Sequence, residues 1–343
     1  MSNKRKNIPN SRTPDLFSEH LYHKNNKIIF KLLVERWLCH KKTSVKESTI
    51  IRYQNLIKLY LMPEFGEIPV DEFAYPTLYE FSVKLLQSGG SKGTGLSPKT
   101  VLDILSLLHN IFQYAENIGI SIPAAHMSIP VKQNKKQMRI FTIAEQKKLL
   151  TFLMNDPKQT SLGIQLCFFT GLRIGEICAL KWGDILIEEK SIFVHQTMQR
   201  LQTTENEKGR TKILISSPKS ISSIREIPIP AQIFELIKKA QISSHYPKEA
   251  FLLTGSTTKY VEPRTLQYRF KRILLECGIK DANFHAVRHT FATRCIEVGC
   301  DVKSLSEILG HSNVNITLNC YVHPPMNLKR QSLDKLSSLF DTI

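Results

Sequence analysis

Gly310-His311-Ser312-Asn313-Val314-Asn315-Ile316-Thr317-Leu318-Asn319-Cys320-Tyr321 sets a histidine ten positions before a tyrosine near the end of the chain. Working outward, two earlier segments carry matching chemistry: Thr170-Gly171-Leu172-Arg173-Ile174-Gly175-Glu176 and His285-Ala286-Val287-Arg288-His289. Together they offer two arginines, up to three histidines and a tyrosine, and little that could hold a metal. A guanidinium fork binds a pair of phosphate oxygens, so two forks can neutralise charge growing on a pentacoordinate phosphorus. An imidazole can donate a hydrogen bond or move a proton near neutral pH. A tyrosine, with an ordinary pKa of about 10, is a poor nucleophile unless such groups surround it. The set suits attack of a phenol on a phosphodiester.

The bulk properties agree with a polyanionic partner. The 343 residues suffice for two domains, each with its own core. A formal charge of +17 and an isoelectric point near 9.5 fit nucleic acid, although a basic surface serving solubility alone would give the same values. No uninterrupted apolar run approaches the roughly 18 residues that span a bilayer. The opening Met1-Ser2-Asn3-Lys4-Arg5-Lys6 lacks the apolar stretch of a signal peptide. Seven scattered cysteines, an odd number, suit reduced thiols in a cytoplasmic protein.

Residues 1–26 are polar and basic without a period and read as a flexible leader. From Lys27 a helical spacing begins, through Ile29, Leu32, Leu33 and Trp37, with Arg36 as a polar interruption. Ser44-Val45-Lys46-Glu47 reads as a capping box for a helix through Ile50, Tyr53, Leu56, Ile57 and Tyr60. Residues 63–69, with Pro63, Gly66 and Pro69, are expected to break it. A third helix is predicted over 76–86, then a glycine-rich loop over 89–95. Ser97 as N-cap and Pro98 at the first helical position open a long helix that ends near Gly119. Four helices without strands make a small bundle over 27–122, and 123–138 reads as a linker with Pro123, Pro130, Lys132, Lys135 and Lys136.

The second domain is expected over 139–325. Thr142-Ile143-Ala144-Glu145 forms a capping box, and an apolar helix over 162–169 leads to Arg173. Strands are predicted at 185–186, 191–195, 212–216 and 224–229, the last two connected through 218–223. Helices return after Pro230. The fold class is therefore mainly α with a small antiparallel β-sheet in the second domain. Leu333, Leu336, Leu339 and Phe340 give the tail, 326–343, the apolar stripe of a final helix.

In order and wording these segments resemble the tyrosine recombinases, the family of phage integrases and Xer-type resolvases. The resemblance runs from about Phe141 to Val322, with a weaker match from about Lys27 to Gly119. Any one segment is common; four in the right order across half the chain are specific. The resemblance implies a helical, SAM-like core-DNA-binding domain joined to an α+β catalytic domain, the two closing as a C-shaped clamp on a duplex. For the tail it implies docking on a neighbouring subunit, whereas the stripe itself equally suits packing on its own domain.

Residue roles follow from that resemblance. Arg173 becomes the first phosphate-binding arginine, with Glu176 a supporting carboxylate. His285 and Arg288 line the scissile phosphate, His289 supports them, and His311 hydrogen-bonds the phosphate. A zinc-protease reading of 285–289 fails, because Ala286 stands where a glutamate is needed. The phrase Pro218-Lys219-Ser220-Ile221-Ser222-Ser223-Ile224-Arg225-Glu226-Ile227-Pro228 resembles the family's hairpin, whose turn lysine, here Lys219, protonates the leaving 5′ oxygen. Lys208 and Lys212 compete for that role. Tyr321, one of ten tyrosines, is the nucleophile by its place after His311, and neighbouring Cys320 has no base and orienting partner beside it in sequence. Cys295, Cys300 and Cys320 fit no common zinc spacing.

The implied reaction cuts and rejoins DNA through a 3′-phosphotyrosyl bond, with no metal, ATP or other cofactor. The implied partners are double-stranded DNA at specific core sites, three further copies in a tetramer passing through a Holliday junction, and an accessory directionality or DNA-bending protein. A 26-residue leader is short for a separate arm-site domain, which points to a simpler integrase or a resolvase. The extended region 199–212 favours a mobile-element or phage integrase over an Xer-like resolvase. A type IB topoisomerase and a non-catalytic DNA-binding protein remain as alternatives of other classes.

Overall fold

The structure is a computed structural model that describes residues 27–90, 93–133, 138–203, 211–218, 220–321, 330, 333, 334 and 337. The chain divides into two compact units, Met1–Lys135 and Lys136–Ile343. The proposed leader, Lys208, Lys219 and most of the proposed tail helix lie outside the described residues.

The first unit is helical: α1 (Phe30–Lys42), α2 (Glu47–Leu56), α3 (Met62–Phe65), α4 (Tyr75–Ser88) and α5 (Pro98–Asn117). The hydroxyl of Ser97 accepts from the Thr100 N–H, and Pro98 opens α5 where its missing N–H costs nothing. Val101, Ile104, Leu108, Ile111 and Ala115 then recur at helical spacing and are all buried. They pack on Phe30, Phe65 and Phe73, and the Phe73 and Phe112 rings meet edge-on at 5.0 Å. Ala124, Ala125 and Ile129 join the same core.

One local expectation is corrected and a second is located more finely. Ser44 does not cap α2, which starts after Lys46 without a side-chain cap. Its hydroxyl donates instead to the Lys41 carbonyl at the end of α1, which also accepts from the Ser44 and Val45 N–H groups. The break expected over 63–69 does occur, at Gly66 after Phe65, and not at Pro63. Residues Ile57–Leu61 widen into a π turn, and Pro63 falls in the first turn of α3, where a ring and a missing N–H are tolerated.

The second unit runs α6 (Ile143–Asn155), α7 (Gln159–Thr170), α8 (Ile174–Ala179), β1 (Ile185–Leu186), β2 (Ser191–Val194), β3 (Thr197–Gln202), β4 (Thr211–Ser216), β5 (Arg225–Pro228), α9 (Ala231–Ser244), α10 (Pro263–Glu276), α11 (His285–Glu297), α12 (Val302–Leu309) and α13 (Val314–Tyr321). The Thr142–Glu145 capping box forms in both directions at the start of α6. Helix α7 has nearly every residue buried, so it threads the core rather than lining its edge.

The strands pair differently from their order in sequence. β2 lies between β1 and β5, antiparallel to both, while β3 and β4 form a separate hairpin. Segments 212–216 and 224–229 are therefore not partners: Val194 pairs with Arg225, and Thr197 with Ser216. The cause is burial. β5 alternates, with Arg225 and Ile227 inward against the core, whereas β4 is partly covered along most of its length and takes β3 as its neighbour. β3 was unforeseen because its sequence has no period of two; only Met198 and Leu201, three apart, are buried.

Two glycines in the left-handed region aim the chain at the site. Gly171 ends α7 at φ 65°, and Gly310 ends α12 at φ 64°. A Cβ on Gly171 would lie 2.5 Å from the Phe291 ring, so only glycine permits this exit. His311 follows Gly310 directly, and Arg173 follows Gly171 after Leu172. Among the described residues no helix is long and apolar enough to cross a membrane.

Candidate active site

Arg173 stands at the N-cap of α8, and Glu176 at the third helical position reaches back to it. The carboxylate accepts from the Arg173 backbone N–H at 2.9 Å and from its Nη1 at 2.7 Å. Gly175 lets the helix start press on β3, since a Cβ there would lie 2.6 Å from Thr197 Oγ1 and 2.7 Å from the Met198 carbonyl. Glu176 is only 2% exposed, a cost that needs compensation. Arg225 supplies it from β5, its Nη1 and Nη2 donating to the two carboxylate oxygens at 3.1 and 3.0 Å. Burial pushes the Glu176 carboxyl upward, but the bonds and charge of Arg225, then of Arg173, outweigh it and hold the pKa below the ordinary value. The carboxylate stays ionised.

The second organising feature is the end of α12. Three successive carbonyls there each accept from a different arginine: Ile308 from Arg225 Nε at 2.5 Å, Leu309 from Arg288 Nη2 at 2.6 Å, and Gly310 from Arg173 Nη2 at 3.0 Å. A helix C-terminus leaves its last carbonyls unpaired and carries partial negative charge, so it attracts guanidinium groups. Arg288 also donates from Nη1 to the carbonyl of Gly171 at 2.9 Å, and so ties the ends of α7 and α12 together. Arg288 is 2% exposed, whereas the Arg173 side chain keeps 34% of its surface. Of the two arginines named from sequence, Arg173 is the one that meets solvent.

The histidines converge on these charges. His285 opens α11 and His289 follows one turn later, their rings edge to face at 4.3 Å. His311 comes directly after Gly310, and its Nδ1 lies 2.8 Å from the hydroxyl of the fully buried Thr317. Thr317 belongs to α13, the helix that ends in Tyr321 four residues later. The His285 pKa is lowered, chiefly by desolvation of its ring and then by Arg288 and Arg173. His289 falls to about 4 through burial, with His285 and Arg288 adding to it. His311 also falls to about 4, from burial first and then from Arg288, Arg173, Arg225 and His285. All three imidazoles are thus neutral at pH 7 in the free protein.

The described structure therefore links Arg173, Glu176, Arg288 and His311, through bonds and shared turns, and sets His285 and His289 within range of the same charges. Lys219 is outside the described residues, and Tyr321 is placed by its helix alone. Lys212 lies within β4, paired with Leu201. Two participants were not recognised from sequence. Arg225 has no catalytic mark within 218–228, although its alternation with Ile227 along one strand face is a usable signal. Thr317 lies between His311 and Tyr321 as the family resemblance implies, but a threonine in a helix has no mark of its partner. Among the described residues no group of three or more His, Cys, Asp or Glu could hold a metal ion.

Residues 139–327, more than half the chain, match the phage integrase family, and 29–86 match its N-terminal SAM-like domain. This chain belongs to the phage integrase family. As a tyrosine recombinase it is a site-specific DNA-breaking and rejoining enzyme. It is 29% identical to a "tyrosine recombinase XerC-like" protein of Caldanaerobacter subterraneus, over 90% of this chain and 82% of that one. It is 24% identical to the ICEBs1 integrase of Bacillus subtilis, over 94% and 86%. In fold the recombinase is similar to the Tn1549 transposon integrase solved with transposon right end DNA, with a TM-score of 0.73, 23% identity, 90% of this chain and all of that one covered. It is also similar to a lambda integrase tetramer bound to a Holliday junction, with a TM-score of 0.61, 18% identity, and 87% and 78% covered.

Proposed function

We propose that this recombinase is the integrase of a mobile element or phage and that Tyr321 is its nucleophile. The observation that carries the site assignment is the end of α12, where three adjacent carbonyls order Arg225, Arg288 and Arg173 immediately before His311. The integrase reading is supported by the match to the ICEBs1 integrase along nearly the whole chain. An Xer-like resolvase is the second reading, supported by the more identical XerC-like relative.

In the proposed reaction the Tyr321 oxygen bonds to phosphorus as the bond from phosphorus to the 5′ oxygen breaks. Arg173 has five N–H donors, two of them engaged by Glu176 and Gly310, so its half-exposed fork has capacity for a phosphate oxygen. Arg288 works from beneath, where low dielectric magnifies its charge. The neutral His311 and His285 either donate to phosphate oxygens or take the phenolic proton. Lys219 gives its proton to the departing 5′ oxygen. The 3′-phosphotyrosyl bond conserves the energy of the phosphodiester, so rejoining to a partner strand needs no ATP.

The two units would hold duplex DNA at specific core sites, with basic faces setting register through phosphates. Four copies would assemble in the cytoplasm around two sites and pass through a Holliday junction, the arrangement in which lambda integrase was solved. An accessory protein would set direction. The test uses nicked suicide duplexes made from the DNA flanking the gene, with EDTA present, resolved on a denaturing gel. A covalent protein–DNA band that disappears in Tyr321→Phe, while binding persists, supports the mechanism. Binding without any band sinks the nucleophile assignment.

A further inference from the structure

Arg225 is buried, its side chain 6% exposed, and each of its three nitrogens is engaged. It joins three pieces of chain that are distant in sequence. On one side it holds both oxygens of Glu176, at the start of α8; on another it holds the Ile308 carbonyl at 2.5 Å, two residues before Gly310. Its Nη1 also donates to the Ser223 carbonyl at 3.0 Å, in the turn that precedes β5 and follows position 219. Gly310 is shaped around it, since a Cβ there would come within 3.0 Å of Arg225 Cδ and Nη1. Arg225 itself is set back from solvent, so it has no direct route to a phosphate.

We propose that Arg225 is a positioning residue for strand cleavage, keeping Arg173 and His311 in register by sharing Glu176 with Arg173 and anchoring the end of α12. The proposal rests on the recombinase assignment above. Without Arg225, Glu176 would be a buried carboxylate with one cationic partner, and it would draw the Arg173 fork inward, away from a bound phosphodiester. The Ile308 carbonyl would lose its donor at the same time, loosening the turn that carries His311. A lysine at 225 restores the charge but not the planar fork, so it can satisfy one acceptor well and not three. Removing the carboxylate as well relieves the pull on Arg173.

The experiment is single-turnover cleavage of the same suicide duplexes at saturating protein, for wild type, Arg225→Lys, Arg225→Met and Arg225→Met with Glu176→Gln. Filter binding and thermal melting are run beside it. The expected result is a fall in the rate constant of about tenfold or more for lysine and about a hundredfold for methionine, of the size seen when an electrostatic group is misplaced. DNA affinity should change less than about threefold, since most phosphate contacts lie elsewhere. The double variant should cleave faster than Arg225→Met alone. A merely structural arginine would instead lower the fraction of active protein, leaving the survivors at the wild-type rate, and Arg225→Lys reads this even if methionine fails to fold. A wild-type rate in Arg225→Lys overturns the proposal. No adduct from the wild type itself would bring down the recombinase reading and this one together.

Discussion

Arg173 donates from Nη2 to the carbonyl of Gly310, 3.0 Å away and 137 residues later in the chain. Its Nη1 is held by Glu176, so the guanidinium plane is fixed from two directions before any substrate arrives. Preorganised donors of this kind lose little on meeting a developing charge. Arg173→Lys keeps the charge and loses the fork. Cleavage of suicide duplexes should fall by about 10²–10³-fold, with binding in a gel-shift assay nearly unchanged. Equal losses in both would mean that Arg173 serves binding alone.

Gly310 combines a positive φ of 64° with close contact to Arg225. Gly310→Ala should lower stability in urea by about 1–2 kcal/mol, the cost of a left-handed backbone for an L side chain. It should slow cleavage further than that loss explains, because the added methyl displaces the arginine. Wild-type cleavage in a destabilised variant would show that the turn is only a structural stop.

The hydroxyl of Thr317 fixes Nδ1 of His311 and belongs to the helix that ends in Tyr321. Thr317→Val preserves shape and removes this bond. Stability should drop by about 1 kcal/mol, while the cleavage rate should fall by about tenfold or more, as it does when an orienting partner is removed. A rate unchanged at equal occupancy of DNA would show that His311 needs no orientation from α13.

Acid should weaken the free protein. His289 and His311 both fall from 6.5 to about 4, burial being the leading cause in each. Because these native values lie below the unfolded one, the unfolded chain binds more protons between them. Their stabilisation is complete above about pH 6.5 and is lost as the pH falls through 4. Urea unfolding at pH 7.5, 6 and 5 should show this decline, and His311→Gln should flatten it. A flat profile in the wild type would contradict neutral native imidazoles.

The sequence by itself determined most of the local structure and the identity of the chemistry. Ser97-Pro98 and the Thr142–Glu145 box act through bonds within one turn, so their helix starts could be read directly. Arg173, Arg288, His311 and Tyr321 are proposed as site residues because their order and wording resemble the family that residues 139–327 match. What only the tertiary structure decided was how these residues are held. Strand pairing placed β5 beside β2 rather than β4, because exclusion of water acts between segments that sequence order does not relate. That pairing turned Arg225 inward onto Glu176. The carbonyls of Ile308, Leu309 and Gly310 look like any others in a sequence, since every residue has one. They become arginine acceptors only because a helix ends there, in reach of three side chains from β5, α11 and the start of α8.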